Sequence, residues 1–242
     1  MSIINEIELT CKKLKLGKNI SDNIKKVELI DKYEFILKVL ELEVEHRELQ
    51  KRARNISSAG FYSIKTLTDY IFKDIKFPEV LSKEDIKTVN FIKDKENIIM
   101  YGNPGTGKTH LATALGLEAC RKDLKVGFFR TSGLVNKLIE AKKAQELGRL
   151  INKLSKLDLL ICDEWGYVPL DREGAQLLFQ VISDCYEVRS IIITTNLEFS
   201  KWITIFYDKE MTAAIIDRLV HHSHLLLFEG ESFRVKHSLI RQ

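Results

Sequence analysis

Proline is scarce in this chain, at three residues in 242, and no glycine- or serine-rich tract occurs. A long disordered linker is therefore not expected. Cysteine is equally thin. Cys11, Cys120, Cys162 and Cys185 form no C-x-x-C pair, and the last three sit in apolar surroundings. That excludes a disulfide scaffold or a cysteine zinc site as the expectation and points to buried thiols in a reducing cytosol. No stretch approaches the roughly 18 uncharged apolar residues of a membrane span. The start, MSIINEIELTCKK, has no basic region ahead of an apolar run, so no signal peptide is expected either. A cytoplasmic protein without membrane contact is the expectation. Charge of one sign is also missing: 38 Lys and Arg face 34 Asp and Glu, a net +4. Such an excess neither demands nor excludes a nucleic-acid partner, and local clustering decides.

What is present is a hydrophobic fraction of 45%, enough for one large domain, alone or with a small appendage. Up to about residue 95 the chain is rich in Lys, Glu, Leu and Ile. Phe35, Val39, Leu42, His46 and Leu49 recur at spacings of four and three, one face of a helix. Lys51, Arg52 and Arg54 close that helix, and Lys12, Lys13, Lys15 and Lys18 precede it. These cations suit a nucleic-acid backbone, or simply a solvated face with favourable charge at a helix C-terminus.

After residue 96, short apolar runs alternate with amphipathic segments. NIIMYG, KVGFFRT, LDLLICDE and SIIITTN read as strands buried on both faces, and HLLLFEG as a closing strand. KTHLATALGLEACRK and REGAQLLFQVISDCYE read as helices between them. This order predicts an α/β fold with a parallel sheet between helices.

The strand NIIMYG runs into G-x-x-x-x-G-K-T, here Gly102, Asn103, Pro104, Gly105, Thr106, Gly107, Lys108 and Thr109, with His110 next. The three glycines let the backbone wrap phosphate oxygens where a Cβ would clash. The free N–H groups of the following helix favour an anion. Lys108 brings a charge for the β- and γ-phosphates, and Thr109 a hydroxyl for Mg²⁺. A chance glycine turn is the plainer alternative, and the strand–loop–helix setting argues against it. LDLLICDEWG ends a strand in Asp163 and Glu164, the first suited to Mg²⁺ and the second to polarising water. Asn196, after SIIITT, suits the orientation of a lytic water, or ordinary turn chemistry. Arg218, in AIIDRLVHHSH, suits a neighbour's γ-phosphate, or a surface pair with Asp217. His221, His222 and His224 have no second ligand cluster at suitable spacing, so no metal is expected there. Arg234, in GESFR, is placed to reach the nucleotide or to be a terminal basic residue.

GNPGTGKTHLA, LLICDEWGYVPL, IIITTN, DRLVHHSH and EGESFR, in that order, resemble the AAA+ ATPases of the IstB/DnaC type, and the tail is more similar to IstB. EFILKVLELEVEHRELQKRARN followed by FYSIKTLTDYIF is similar to that family's small helical domain. The resemblance implies an N-terminal helical domain over 1–75 and an AAA+ P-loop NTPase core over 76–242. It implies ATP and Mg²⁺ as ligands, ATP-dependent self-association into an oligomer on DNA, and regulation by this protein of the target selection and activity of a partner transposase. Residues 102–109 become Walker A, Asp163 and Glu164 Walker B, Asn196 sensor 1, Arg218 the arginine finger and Arg234 a sensor-2-like residue. SGLVNKLIEAKKAQELGRLINKLSK takes the place of an extra helix lining a DNA channel, with Lys137, Lys142, Lys143 and Arg149 toward phosphates. Only eight residues follow Arg234, so DNA contacts are expected from the core and the N-terminal region, as sequence-tolerant phosphate contacts. Two alternatives stay open: a replicative helicase loader of the DnaC type, and a P-loop enzyme phosphorylating a small molecule.

Overall fold

The computed structural model describes residues 3–17, 19–28, 31–68, 70–206 and 208–236. Lys18 and the side chain of Arg234 lie outside the described residues. The chain divides into two compact units, Met1–Arg54 and Asn55–Gln242.

The first unit contains α1 (Ile3–Lys13), α2 (Ile20–Lys26) and most of α3 (Lys32–Ala59). Its small core is Cys11, Ile20 and Val39, with Ile7, Leu16, Ile24, Val27 and Phe35 packed against it. Of the predicted α3 face, Val39 is buried, Phe35, Leu42 and His46 are half-buried, and Leu49 is exposed. A polar knot closes the turn after α1. The buried Glu43 carboxylate accepts from Gly17 N and from Arg47 Nε, both at 2.7 Å, and Arg47 donates onward to Lys15 O at 2.8 Å. Burial pushes the Glu43 carboxyl up, but these hydrogen bonds and the Arg47 charge outweigh it and hold it below the usual range. The helix-closing cations are engaged locally: Arg52 stands 3.4 Å from Glu48, and Arg54 Nε donates to Gln50 O.

The second unit is a six-stranded sheet in the order β1-β6-β2-β5-β4-β3. Along the chain come β1 (Ile75–Lys76), α4 (Lys83–Lys87), β2 (Asn97–Gly102), α5 (Lys108–Arg121), β3 (Val126–Arg130), α6 (Thr131–Lys143), α7 (Leu147–Leu154), β4 (Leu159–Trp165), α8 (Arg172–Ser183), β5 (Ser190–Thr195), α9 (Ile203–Phe206), α10 (Lys209–His221), β6 (Ser223–Phe228) and α11 (Phe233–Lys236). The five predicted strands are all parallel; only the short β1 runs antiparallel, on β6. Alternation along the strands sorts the two faces. Ile98, Met100, Leu159, Ile161 and Ile192 meet α5 and the segment 56–92, while Ile99, Leu160, Cys162, Ile191 and Ile193 meet the layer of α6 to α10. All four cysteines are buried and free.

The single helix expected over 132–156 is two, α6 and α7. Gln145 takes a left-handed φ of 59°, Gln145 N donates to Lys142 O, and Glu146 N donates to Ala141 O. That is a Schellman stop built without glycine, so no residue in the sequence announces it. The described residues of 61–74 contain no helix and belong to the second unit: Phe72 is buried in its core.

Candidate nucleotide site

The C-terminal ends of β2, β4 and β5 form the site, where the order places β2 beside β5 although two strands separate them in sequence. β2 ends at Gly102. A Cβ there would collide with the Phe228 backbone of β6, so the loop leaves the sheet at a point only glycine fits. Gly107 sits at φ 96° directly ahead of α5, turning the chain so that the first N–H groups of a 14-residue helix face the loop. Lys108 is 9% exposed and folds back over the loop, its ammonium donating to Gly102 O at 2.6 Å and Asn103 O at 2.7 Å. Thr106 Oγ1 donates to the same Asn103 carbonyl. Asn103, Pro104 and Gly105 complete the turn, and Phe233 N donates to Gly105 O at 3.0 Å. GESFR thus lies on the loop, and a Cβ on Gly105 would meet Ser232.

Asp163 is 2% exposed and is the hub. Its Oδ1 accepts from Thr109 Oγ1 at 2.9 Å and from Thr194 Oγ1 at 2.5 Å, while its carbonyl accepts from Thr131 Oγ1 at 2.9 Å. Thr194 Oγ1 in turn accepts from Glu164 N at 3.0 Å. A β-bulge makes this possible. Cys162 pairs with Ile193 and Trp165 with Thr195, so Asp163 and Glu164 together oppose Thr194 alone. Glu164 carries the extra residue's conformation, φ 56°. Its carboxylate is turned outward, 3.4 Å from Arg130 Nε, and the Arg130 guanidinium lies over the Tyr62 ring at 4.7 Å. Asn196 is exposed one residue past β5.

His110 faces the segment ahead of the core. Its Nε2 lies 3.3 Å from Thr66 O, and its ring meets Tyr70 edge-on at 5.0 Å. Tyr70 also covers Gly107, and burial pushes its phenol up. Tyr70, Thr66, Arg130, Tyr62 and Thr131 all escaped the sequence reading. The aromatic spacing in FYSIKTLTDYIF was the available signal, but it fits a helix as readily.

The remaining predicted residues do not join this group. Arg218, on α10, donates to Ser183 Oγ at 3.0 Å and lies over Phe179. Ser183 ends α8 ahead of β5, so Arg218 sits at the other edge of the sheet, about 20 Å of strand away from the loop of its own chain. Lys137 covers the Phe129 ring, Lys142 pairs with Glu173 at 2.7 Å, Lys143 is exposed, and Arg149 stands 3.5 Å from Glu146. At 100° per residue the three α6 lysines fan around the helix and share no single face.

Residues 18–240 match the family described as IstB-like ATP binding protein. The chain belongs to that family. IstB-like relatives include a protein of Bacillus thuringiensis subsp. berliner named as an ATP-binding protein of insertion sequence IS232, 34% identical over 84% of this chain and 81% of that one. A second, from Pseudomonas aeruginosa and named for insertion sequence IS21, is 36% identical over 84% of this chain and 77% of its own length. Among solved structures, AMPPCP-bound DnaA from Aquifex aeolicus superposes with a TM-score of 0.56 at 22% identity, over 71% of this chain and 52% of that one. DnaI gives 0.51 at 16% identity. The IstB-like chain therefore carries the AAA+ P-loop fold. No helix among the described residues is long and apolar enough to cross a membrane.

Proposed function

We propose that the protein is a Mg²⁺-dependent ATPase whose subunits associate on DNA and govern the target choice of a partner transposase. One observation carries the ATPase reading. Lys108, Thr109, Asp163 and Glu164 converge at one edge of the sheet with Asn196 one residue past β5, whereas Arg218 is held at the other. That separation supports a site shared between subunits, in which Arg218 serves a neighbour's nucleotide and not its own.

In this reading Gly102 to Gly107 and the start of α5 cradle the phosphates, with Lys108 moving its ammonium from the loop carbonyls to the β- and γ-oxygens. His110 and Arg234 complete the nucleotide pocket. Thr109 and Asp163 offer only oxygen donors, the set a magnesium ion takes, so these two would hold it; bound there, it neutralises charge on the phosphates. Glu164 takes the proton of the attacking water and Asn196 orients that water. Arg218 of a neighbour stabilises the charge that develops on the transferred phosphoryl group. Lys137, Lys142, Lys143 and Arg149 supply phosphate contacts to DNA, with Lys142 leaving Glu173 to do so. The insertion-sequence names of the relatives support a transposase as the partner.

The test is a mixing experiment. Arg218→Ala and Glu164→Gln are each expected to bind ATP and to hydrolyse almost none of it, with duplex DNA present. Mixed together they are expected to regain part of the wild-type rate, because one supplies the arginine and the other the base. A mixture as inactive as its components overturns the shared site. Co-purification with the transposase of the same insertion sequence, compared with a replicative helicase, separates the two partner readings.

A further inference from the structure

A second group of chemically able side chains lies at the sheet edge opposite the phosphate loop. α10 ends in His221, His222 leads into β6, and the turn between α8 and β5 brings up Glu187. His222 O accepts from Asn97 N, the first residue of β2, which fixes the group at the N-terminal ends of the strands. One ring nitrogen from each histidine and one carboxylate oxygen of Glu187 all lie within 4.8 Å of one another. His222 Nε2 is 3.1 Å from Glu187 Oε1. Two donors on one tetrahedral zinc ion, each at about 2.0–2.1 Å, stand about 3.4 Å apart, so the pair needs only a small opening to take an ion.

Three features around the group suit a cation. Tyr186 Oη lies 3.1 Å from His221 Nδ1, so with Nε2 as the ligand atom this bond would orient the imidazole from the outer shell. The carbonyl end of the 13-residue α10 carries partial negative charge at this point. Glu187 holds a left-handed φ of 55°, an unfavourable conformation for its residue type, in the turn that carries its carboxylate to His222.

We propose that Glu187, His221 and His222 form a binding site for a first-row divalent cation of the zinc class, with water completing the coordination. Two imidazoles and a carboxylate favour nitrogen-seeking ions over magnesium, whose ligands are oxygens, so this site and the Thr109–Asp163 pair select different metals. A bound ion ties the end of α10 to the turn after α8. Those same two helices hold Arg218 through Ser183 and Phe179, three residues before His221.

The test is zinc chloride titrated into the nucleotide-free full chain, without a polyhistidine tag, in competition with a chromophoric chelator. About one zinc per chain is expected, with affinity reduced at least about tenfold by Glu187→Gln and by His222→Ala. Glu187→Gln preserves the size of the side chain and one acceptor oxygen at an exposed position, so its metal-free melting temperature should stay close to wild type and show that the fold is intact. His224→Ala, whose ring pairs with Glu96 at 2.9 Å instead, should bind zinc as wild type does. Zinc should also raise the melting temperature of the wild type and leave Glu187→Gln unmoved. Absence of zinc binding, or binding that both variants retain, overturns the site.

Discussion

Arg130 Nε stands 3.4 Å from the Glu164 carboxylate while its guanidinium rests on Tyr62, so the proposed base is held by a residue at the tip of the neighbouring strand. Both side chains are about half exposed, and an ion pair of that kind is worth at most about 1 kcal/mol, roughly fivefold in an equilibrium. Arg130→Ala should therefore raise basal ATP hydrolysis by a factor of that order and leave the melting temperature nearly unchanged. Phosphate release without DNA is the measurement. A rate that falls instead would place Arg130 among the groups that assist the reaction.

Thr194 serves two partners with one hydroxyl, donating to Asp163 and accepting from Glu164 N. Thr194→Val keeps the shape and leaves a backbone N–H and a buried carboxylate short of partners, at a cost of about 1–3 kcal/mol. Denaturant unfolding should report that loss, and Mg²⁺-ATP affinity should fall with it. A variant as stable as wild type would show that the bulge holds itself.

The fan of lysines on α6 gives a graded expectation for DNA. Lys143→Ala should lower the slope of log affinity against log salt by about one, the mark of one phosphate contact. Lys142→Ala should do less, since Glu173 already neutralises that ammonium. Equal effects from the two would mean that the Glu173 pair opens on DNA.

Glu43 sets an acid limit on the N-terminal unit. Its folded carboxyl is held below its unfolded value, so the stability it adds is present above about pH 4.3 and is lost as pH falls through the lower folded value. Hydrogen exchange of residues 3–54 in the acid range should show protection falling, and Glu43→Gln should flatten that dependence while lowering protection at neutral pH.

The thiols give the opposite sign. Burial pushes Cys120 and Cys185 up to about 11. Both should resist a thiol reagent at neutral pH until the chain unfolds, and stability should decline as pH rises from about 8.5 toward 11.

The sheet was legible because its strands are unbroken apolar runs bounded by turn residues, and such runs have few other uses in a 242-residue chain. The phosphate loop was legible because glycine spacing is a backbone requirement written directly in residue types. Asp163 and Glu164 could be named for the same reason. Thr109 could be named with them, but Thr131 could not: it lies 32 residues from Asp163, and only the strand order brings the two together. Tyr70 and Tyr62 were hidden by a segment whose periodicity suits a helix but whose described residues form bends and turns. Glu187 was hidden because one acid in a turn has no pattern at all, and His221 and His222 look solitary without it.

The bulge in β4 has a consequence for anyone transplanting this chemistry. A regular strand alternates, so it can direct one of two adjacent acids toward a ligand and must send the other away. Here a single unpaired residue interrupts the alternation: Asp163 turns in to Thr109 and Thr194, and the direction of Glu164, out to Arg130, is set by its own left-handed backbone. Copying the two letters onto another parallel sheet would therefore move a composition without its geometry; what has to be moved is the left-handed turn at Glu164 together with the threonine across from it.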